Sequence, residues 1–169
     1  MDIRAQLLTN HSKENAALVA DWVGNDKSRF QQLVDLMLND EYRVVQRAAH
    51  ALGKVADKHP KMILPHIEAM VNSITRADAP IAIKRNVVRV LQYIDIPEKH
   101  HGDVMNVCFD LLADVNETVA VRVFSMTVLD NLSKHYPEIK QELHSILEDQ
   151  LELGCTAGFR SRAKKILKK

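Results

Sequence analysis

The side chains best suited to chemistry are cations set at helical spacing. Arg43, Gln46, Arg47, His50 and Lys54 recur at intervals of three and four residues, opposite Val44, Ala48, Ala51, Leu52 and Val55. One helix would bury the second set and present the first as a polar stripe. Ala82, Arg85, Arg89, Gln92 and Tyr93 hold nearly equivalent places further on, followed by Val123, Thr127 and Asn131 and then by Ser161, Lys165 and Lys169. Set side by side, these rows make a track that is basic at both ends and milder in the third. Such a track would attract an acidic protein segment or a phosphate backbone. The same cations could instead pair with carboxylates at neighbouring turns, where Asp40, Asp78 and Asp114 stand, and leave only a solvated face.

Constellations able to make or break bonds are weak. His100 and His101 with Asp103 and Cys108 come nearest to a metal set among the eight histidines. Two adjacent loop histidines do not converge as an HExxH pair on one helix face does, so no metal is expected. Asp110 and Asp114 form an i,i+4 carboxylate pair that suits acid and base roles only inside a cleft; on an outer helix they are solvated. With five glycines in the chain there is no phosphate-cradling loop and no nucleophile elbow. The expectation is a non-catalytic protein with no cofactor and no small-molecule substrate.

Composition narrows the class further. The 169 residues are 46% hydrophobic and 27% charged, enough apolar material for a single folded domain. Twenty-three Lys and Arg against 22 Asp and Glu leave a formal charge of +1, so anion binding must come from local sorting of charge. Cys108 and Cys155 match no metal or redox spacing and read as free thiols in a reducing compartment. No run of about 18 apolar residues occurs and the N-terminus has no long apolar core, so the expected setting is cytoplasmic, without a membrane partner.

The elements that must position the cations follow a period. Val44, Ala48 and Leu52 form an octet that returns as Ile83, Val87, Leu91, then Val121, Ser125, Leu129, then Phe159, Ala163, Leu167. The anchoring leucines lie 39, 38 and 38 residues apart, the mark of a repeat array. Residues 1–25 read as an irregular capping hairpin, with Trp22 in its packing, and 26–59, 60–96, 97–136 and 137–169 as repeats. Asp26 should cap a helix running to Leu38, and Asp40 its partner, from Glu41 to about Lys58. A helix bent by Pro65 is predicted within 61–76, and another from Pro80 to about Tyr93. Further helices are predicted at 102–113, from an Asn116 cap to Leu132, from Pro137 to Leu153, and from Thr156 to Lys169. Proline sits at junctions and no segment sustains strand alternation, so the chain reads as all-α.

The second helix of each pair resembles those of HEAT repeats, in which an apolar and then a basic residue open the helix. A small residue follows four after the apolar one, and a leucine closes the octet. Here these are Ile83-Lys84, Val121-Arg122 and Phe159-Arg160, with Val87, Ser125 and Ala163 in the small position. Val44-Val45 lacks the basic residue, and Val87 is larger than the pattern prefers. The resemblance implies a right-handed α-α superhelix of about four to five hairpins, with first helices outside and second helices lining a concave face. On that reading Arg43, Arg47, His50, Lys54, Arg85, Arg89, Tyr93, Asn131 and Lys165 would hold a protein partner through an acidic or amphipathic segment. Nucleic acid is the alternative, because helical-repeat DNA glycosylases that remove alkylated purines are also built from HEAT-like hairpins. Those enzymes are longer and set aromatic residues beside a catalytic carboxylate, for which Tyr93 with Asp95 is the only counterpart here.

Overall fold

Short polar side chains open the early helices of the computed structural model, which describes residues 1–76 and 78–168. Asp2 accepts from the Ala5 N–H at the start of α1, Ile3–Thr9. Ser12 accepts from Asn15 at α2, Lys13–Val23, and Asp26 from Arg29 at α3, Lys27–Asn39. Each satisfies one of the amides that a helix N-terminus leaves without a partner. Gly24, at a φ of 50°, ends α2 with its N–H on the Ala20 carbonyl. The chain continues through α4, Tyr42–Lys58, α5, Ile67–Thr75, α6, Ile81–Leu91, and α7, His101–Ala113. It closes with α8, Val119–Leu132, α9, Glu138–Leu153, and α10, Ala157–Leu167. Among the described residues there is no strand, and the fold is all-α.

Two compact units divide the chain, Met1–Pro97 with α1 to α6 and Glu98–Lys169 with α7 to α10. In the first, α4 packs against α1, α2, α3 and α6, and α6 is also covered by α5. In the second, α8 packs against α7, α9 and α10. The octets are the inner edges of these helices. Val44, Ala48, Leu52, Ile83, Val87 and Leu91 are buried in the first unit, and Val121, Ser125, Leu129, Phe159 and Ala163 in the second; Leu167 is half-buried. Each large aliphatic side chain so placed contributes roughly 1.5–3 kcal/mol to folding.

Residues 60–66 differ from the predicted bent helix. Pro60–Met62 and Leu64–His66 form short 3-10 turns, and α5 begins only at Ile67. Two prolines in this stretch remove backbone donors, and the tighter turns still bury Ile63 and Ile67 completely. Asp40 does not cap α4. Its carboxylate is gripped by Arg4 (Nε 2.9 Å, Nη2 3.0 Å) and accepts from the Glu41 N–H, while Glu41 takes the cap position with no side-chain bond. Thr118, not Asn116, holds the cap position of α8, and it too makes no side-chain capping bond. Trp22 is half-buried, with the Arg29 guanidinium 4.2 Å above its ring.

One buried cation organises the second unit. Arg122 on α8 donates from Nε to the Leu112 carbonyl at the end of α7 (3.0 Å) and from Nη2 to Gln150 on α9 (2.8 Å). Its Cζ lies 4.7 Å above the ring of Phe159 on α10. Burial lowers its pKa from the ordinary arginine value. Nearby in sequence, Cys108 is wholly enclosed on α7, and that burial pushes its thiol pKa up to about 12, whereas Cys155 is partly exposed.

Candidate anion-binding cleft

The polar stripe of α4 becomes one wall of a cleft because α6 lies alongside it within residues 1–97. Gln46 and His50 come from α4, Arg85, Asn86 and Arg89 from α6, and His11 from the connection between α1 and α2. Together they line a hollow of about 510 Å³. The His11 ring meets the His50 ring edge-on, with centroids 6.1 Å apart. Asn86 is buried and fixed by its amide nitrogen on the Ala82 carbonyl at 2.7 Å.

Gly53 decides where Arg89 lies. A Cβ at position 53 would stand 2.8 Å from Nη1 of Arg89 and 3.5 Å from its Cζ, so the guanidinium rests directly on the α4 backbone in the space a side chain would fill. Arg89 is thereby half-buried and held at the cleft wall, while Arg85, one turn earlier on α6, is exposed. Lys54 is half-buried one turn beyond His50.

The cleft is cationic. Among the described residues Arg85, Arg89, Lys54, Arg43 and Arg47 form no ion pair with a carboxylate; the pairs present are Arg4 with Asp40 and Glu41, Arg29–Asp26, Lys58–Asp21 and Arg76–Asp78. The turn carboxylates that might have neutralised the stripe are thus engaged elsewhere: Asp40 by Arg4, Asp78 by Arg76, and Asp114 by the Asn116 N–H. His50 feels the result: burial lowers its pKa first, and Lys54, Arg89, His11 and Lys13 lower it further. Glu14 on α2 has its carboxyl held below the usual range by its own backbone N–H and by Ser12, with Lys13 and Lys54 adding to the effect.

The structure gathers some of the expected residues and separates others. His50, Arg85 and Arg89 line the cleft. Arg47 is half-buried and donates to the Leu7 carbonyl at the end of α1 (2.8 Å), where a cation also suits the helix dipole. Arg43 is exposed in the first turn of α4, and Tyr93, 65% exposed, lies in the turn after α6. Asn131 and Lys165 belong to the second unit; Asn131 accepts from the Lys134 ammonium at 3.2 Å and Lys165 is exposed on α10. Lys169 lies outside the described residues. Ala82 and Gln92, expected on the stripe, are buried, because α6 is covered by α5 as well as α4. His11, Asn86 and Gly53 were not singled out by the sequence reading; the one visible hint is a glycine inside a helical pattern, which marks a close approach.

A larger hollow of about 670 Å³ lies elsewhere in the same unit, walled by Phe30, Pro60, Met62, Pro65 and His66, with Lys58, which is paired with Asp21, also on its lining. His66 rests against Phe30 with centroids 5.3 Å apart, and burial lowers its pKa. His100 and His101 are buried, with His101 Nδ1 3.0 Å from the Tyr136 hydroxyl. Among the described residues no group of three or more His, Cys, Asp or Glu side chains is arranged to hold a metal ion. Among them, too, no helix is long and apolar enough to cross a membrane.

No curated protein and no solved structure matches the chain significantly. The family model of the HEAT repeat domain matches residues 3–169. With paired helices throughout and its repeating octets buried apart from the half-buried Leu167, the chain belongs to the HEAT-repeat family.

Proposed function

We propose that this protein is a non-catalytic interaction module that captures an acidic or amphipathic segment of a partner protein in the cleft between α4 and α6. HEAT repeats generally serve as protein-interaction scaffolds and are typically non-catalytic. The observation that carries the finer reading is the set of cations, Arg85, Arg89 and Lys54 beside His50, that meets no carboxylate within ion-pair distance among the described residues. A local positive potential of this kind attracts and orients an anionic partner. Arg43, Arg47 and Tyr93 extend the same surface in this reading, and Asn131 and Lys165 are its proposed counterparts in residues 98–169. The free thiols of Cys108 and Cys155 support a reducing, cytoplasmic setting.

Replacing Arg85 and Arg89 together by glutamate should abolish recovery of the partner in a pulldown while circular dichroism shows unchanged helicity. Undiminished recovery would remove the cleft from the function. A gel-shift series over salt concentration tests the nucleic-acid alternative: binding that weakens steeply with salt would favour it, and no binding at low salt disposes of it.

A further inference from the structure

Building on the reading that this cleft captures a protein partner, we infer that the group it accepts is a phosphomonoester on a side chain of that partner, held by Arg85 and Arg89 with His50 and His11 beside it. Four observations lead there. Positive charge is concentrated at one hollow, where Arg85 and Arg89 reach the lining beside the rings of His50 and His11, and Lys54 and Lys13 add to the field on His50. A phosphomonoester carries about −1.5 to −2 charge near neutral pH and three acceptor oxygens, so it uses such a cluster more fully than a single carboxylate does.

Donor geometry is also set in advance. The Arg89 guanidinium lies in the slot left by Gly53 and is half-buried there, so less side-chain freedom is lost when it binds. A planar fork of this kind matches phosphate oxygens in pairs.

The extent of the cleft argues for one anionic group and against a phosphate chain. Its volume is about 510 Å³ and two arginines, Arg85 and Arg89, reach its lining, enough for one phosphate group; Arg43 and Arg47, which also meet no carboxylate among the described residues, lie outside that lining. Among the described residues no Phe, Tyr or Trp lines it, so bases would find no stacking platform there.

Protonation would follow binding. The charged and titratable groups bearing on His50 are Lys54 from its own helix, Arg89 from α6, His11 from the α1–α2 connection and Lys13 from α2. A dianion among them offsets the local field and so favours the imidazolium. The complex therefore takes up a proton, and affinity rises as pH falls from 8 until the phosphate itself begins to protonate near about 6.

Fluorescence anisotropy on the full chain tests this with three labelled degenerate peptide pools, identical except for a central phosphoserine, glutamate or serine. The phosphoserine pool should bind at least tenfold more tightly than the glutamate pool. Arg85→Glu with Arg89→Glu should abolish both signals, and Arg89→Lys, which keeps the charge and loses the fork, should weaken the phosphoserine pool several-fold. His50→Gln should flatten the pH profile while the phosphoserine preference persists. Equal binding of the phosphoserine and glutamate pools would overturn the phosphate assignment and leave the acidic-segment reading standing; no binding of either pool would remove both. Displacement of the phosphoserine pool by an equal concentration of single-stranded or duplex oligonucleotide, or of inorganic phosphate, would overturn the assignment to a phosphorylated protein.

Discussion

Gly53 sits in the interior of α4, where glycine costs about 0.5–1 kcal/mol relative to alanine, and the space it leaves is taken by Arg89. Gly53→Ala should therefore leave the thermal midpoint unchanged or slightly higher, because only the end of a flexible side chain must move. Partner capture should fall several-fold in the same variant, a separation of stability from binding that a melting curve and a pulldown would show together. Residue chemistry also gives the chain an acid sensitivity. His50 and His66 both have folded-state pKa values below the ordinary 6.5, so the unfolded chain binds more protons in the histidine range. Their contribution is retained above about pH 6.5 and lost as pH falls towards the folded values, so the melting temperature should drop between pH 7 and pH 5. Replacing both histidines by glutamine should flatten that drop. At this scale the α4 row was legible, since Gln46, His50 and Lys54 follow from a four-residue spacing. His11 was not, because a turn and not a period brings it beside His50.

Among the elements, α8 depends on a cation that the sequence placed in a repeat pattern without revealing its task. Arg122 satisfies a terminal carbonyl of α7, bonds Gln150 on α9 and covers Phe159 on α10. Arg122→Ala would leave these groups unpaired and open a void, at a cost of about 2–4 kcal/mol. For a domain of this size that corresponds to a fall of roughly 5–15 °C in the melting temperature, measurable by calorimetry. Helix identity was readable from apolar spacing and from caps such as Asp26, whose acceptor does meet the Arg29 N–H. The 60–66 turns were not, because apolar spacing continues through them while Pro60 and Pro65 remove the donors that an α-helix needs. Asp40 looked like a cap for a local reason, but Arg4, 36 residues away, claims its carboxylate, and no short-range pattern contains that contact.

For the whole molecule, a near-neutral charge conceals local inequality: cations converge on the α4–α6 cleft, while carboxylates dominate α9, where Glu138, Glu142, Glu148, Asp149 and Glu152 lie. Attraction of an acidic partner to the cleft should accordingly weaken with ionic strength. The steady repeat period predicts one cooperative domain over residues 1–169, and differential scanning calorimetry should give a single transition; two resolved transitions would make 1–97 and 98–169 independent folding units. The enclosed thiol on α7 supplies a second way to ask. Alkylating reagents attack the thiolate, and at Cys108 both access and ionisation are denied while the helices around it stay closed. Cys155 would be modified promptly, and the slower gain of a second adduct, followed by mass spectrometry, would time the opening of the C-terminal helices with an unaltered polypeptide.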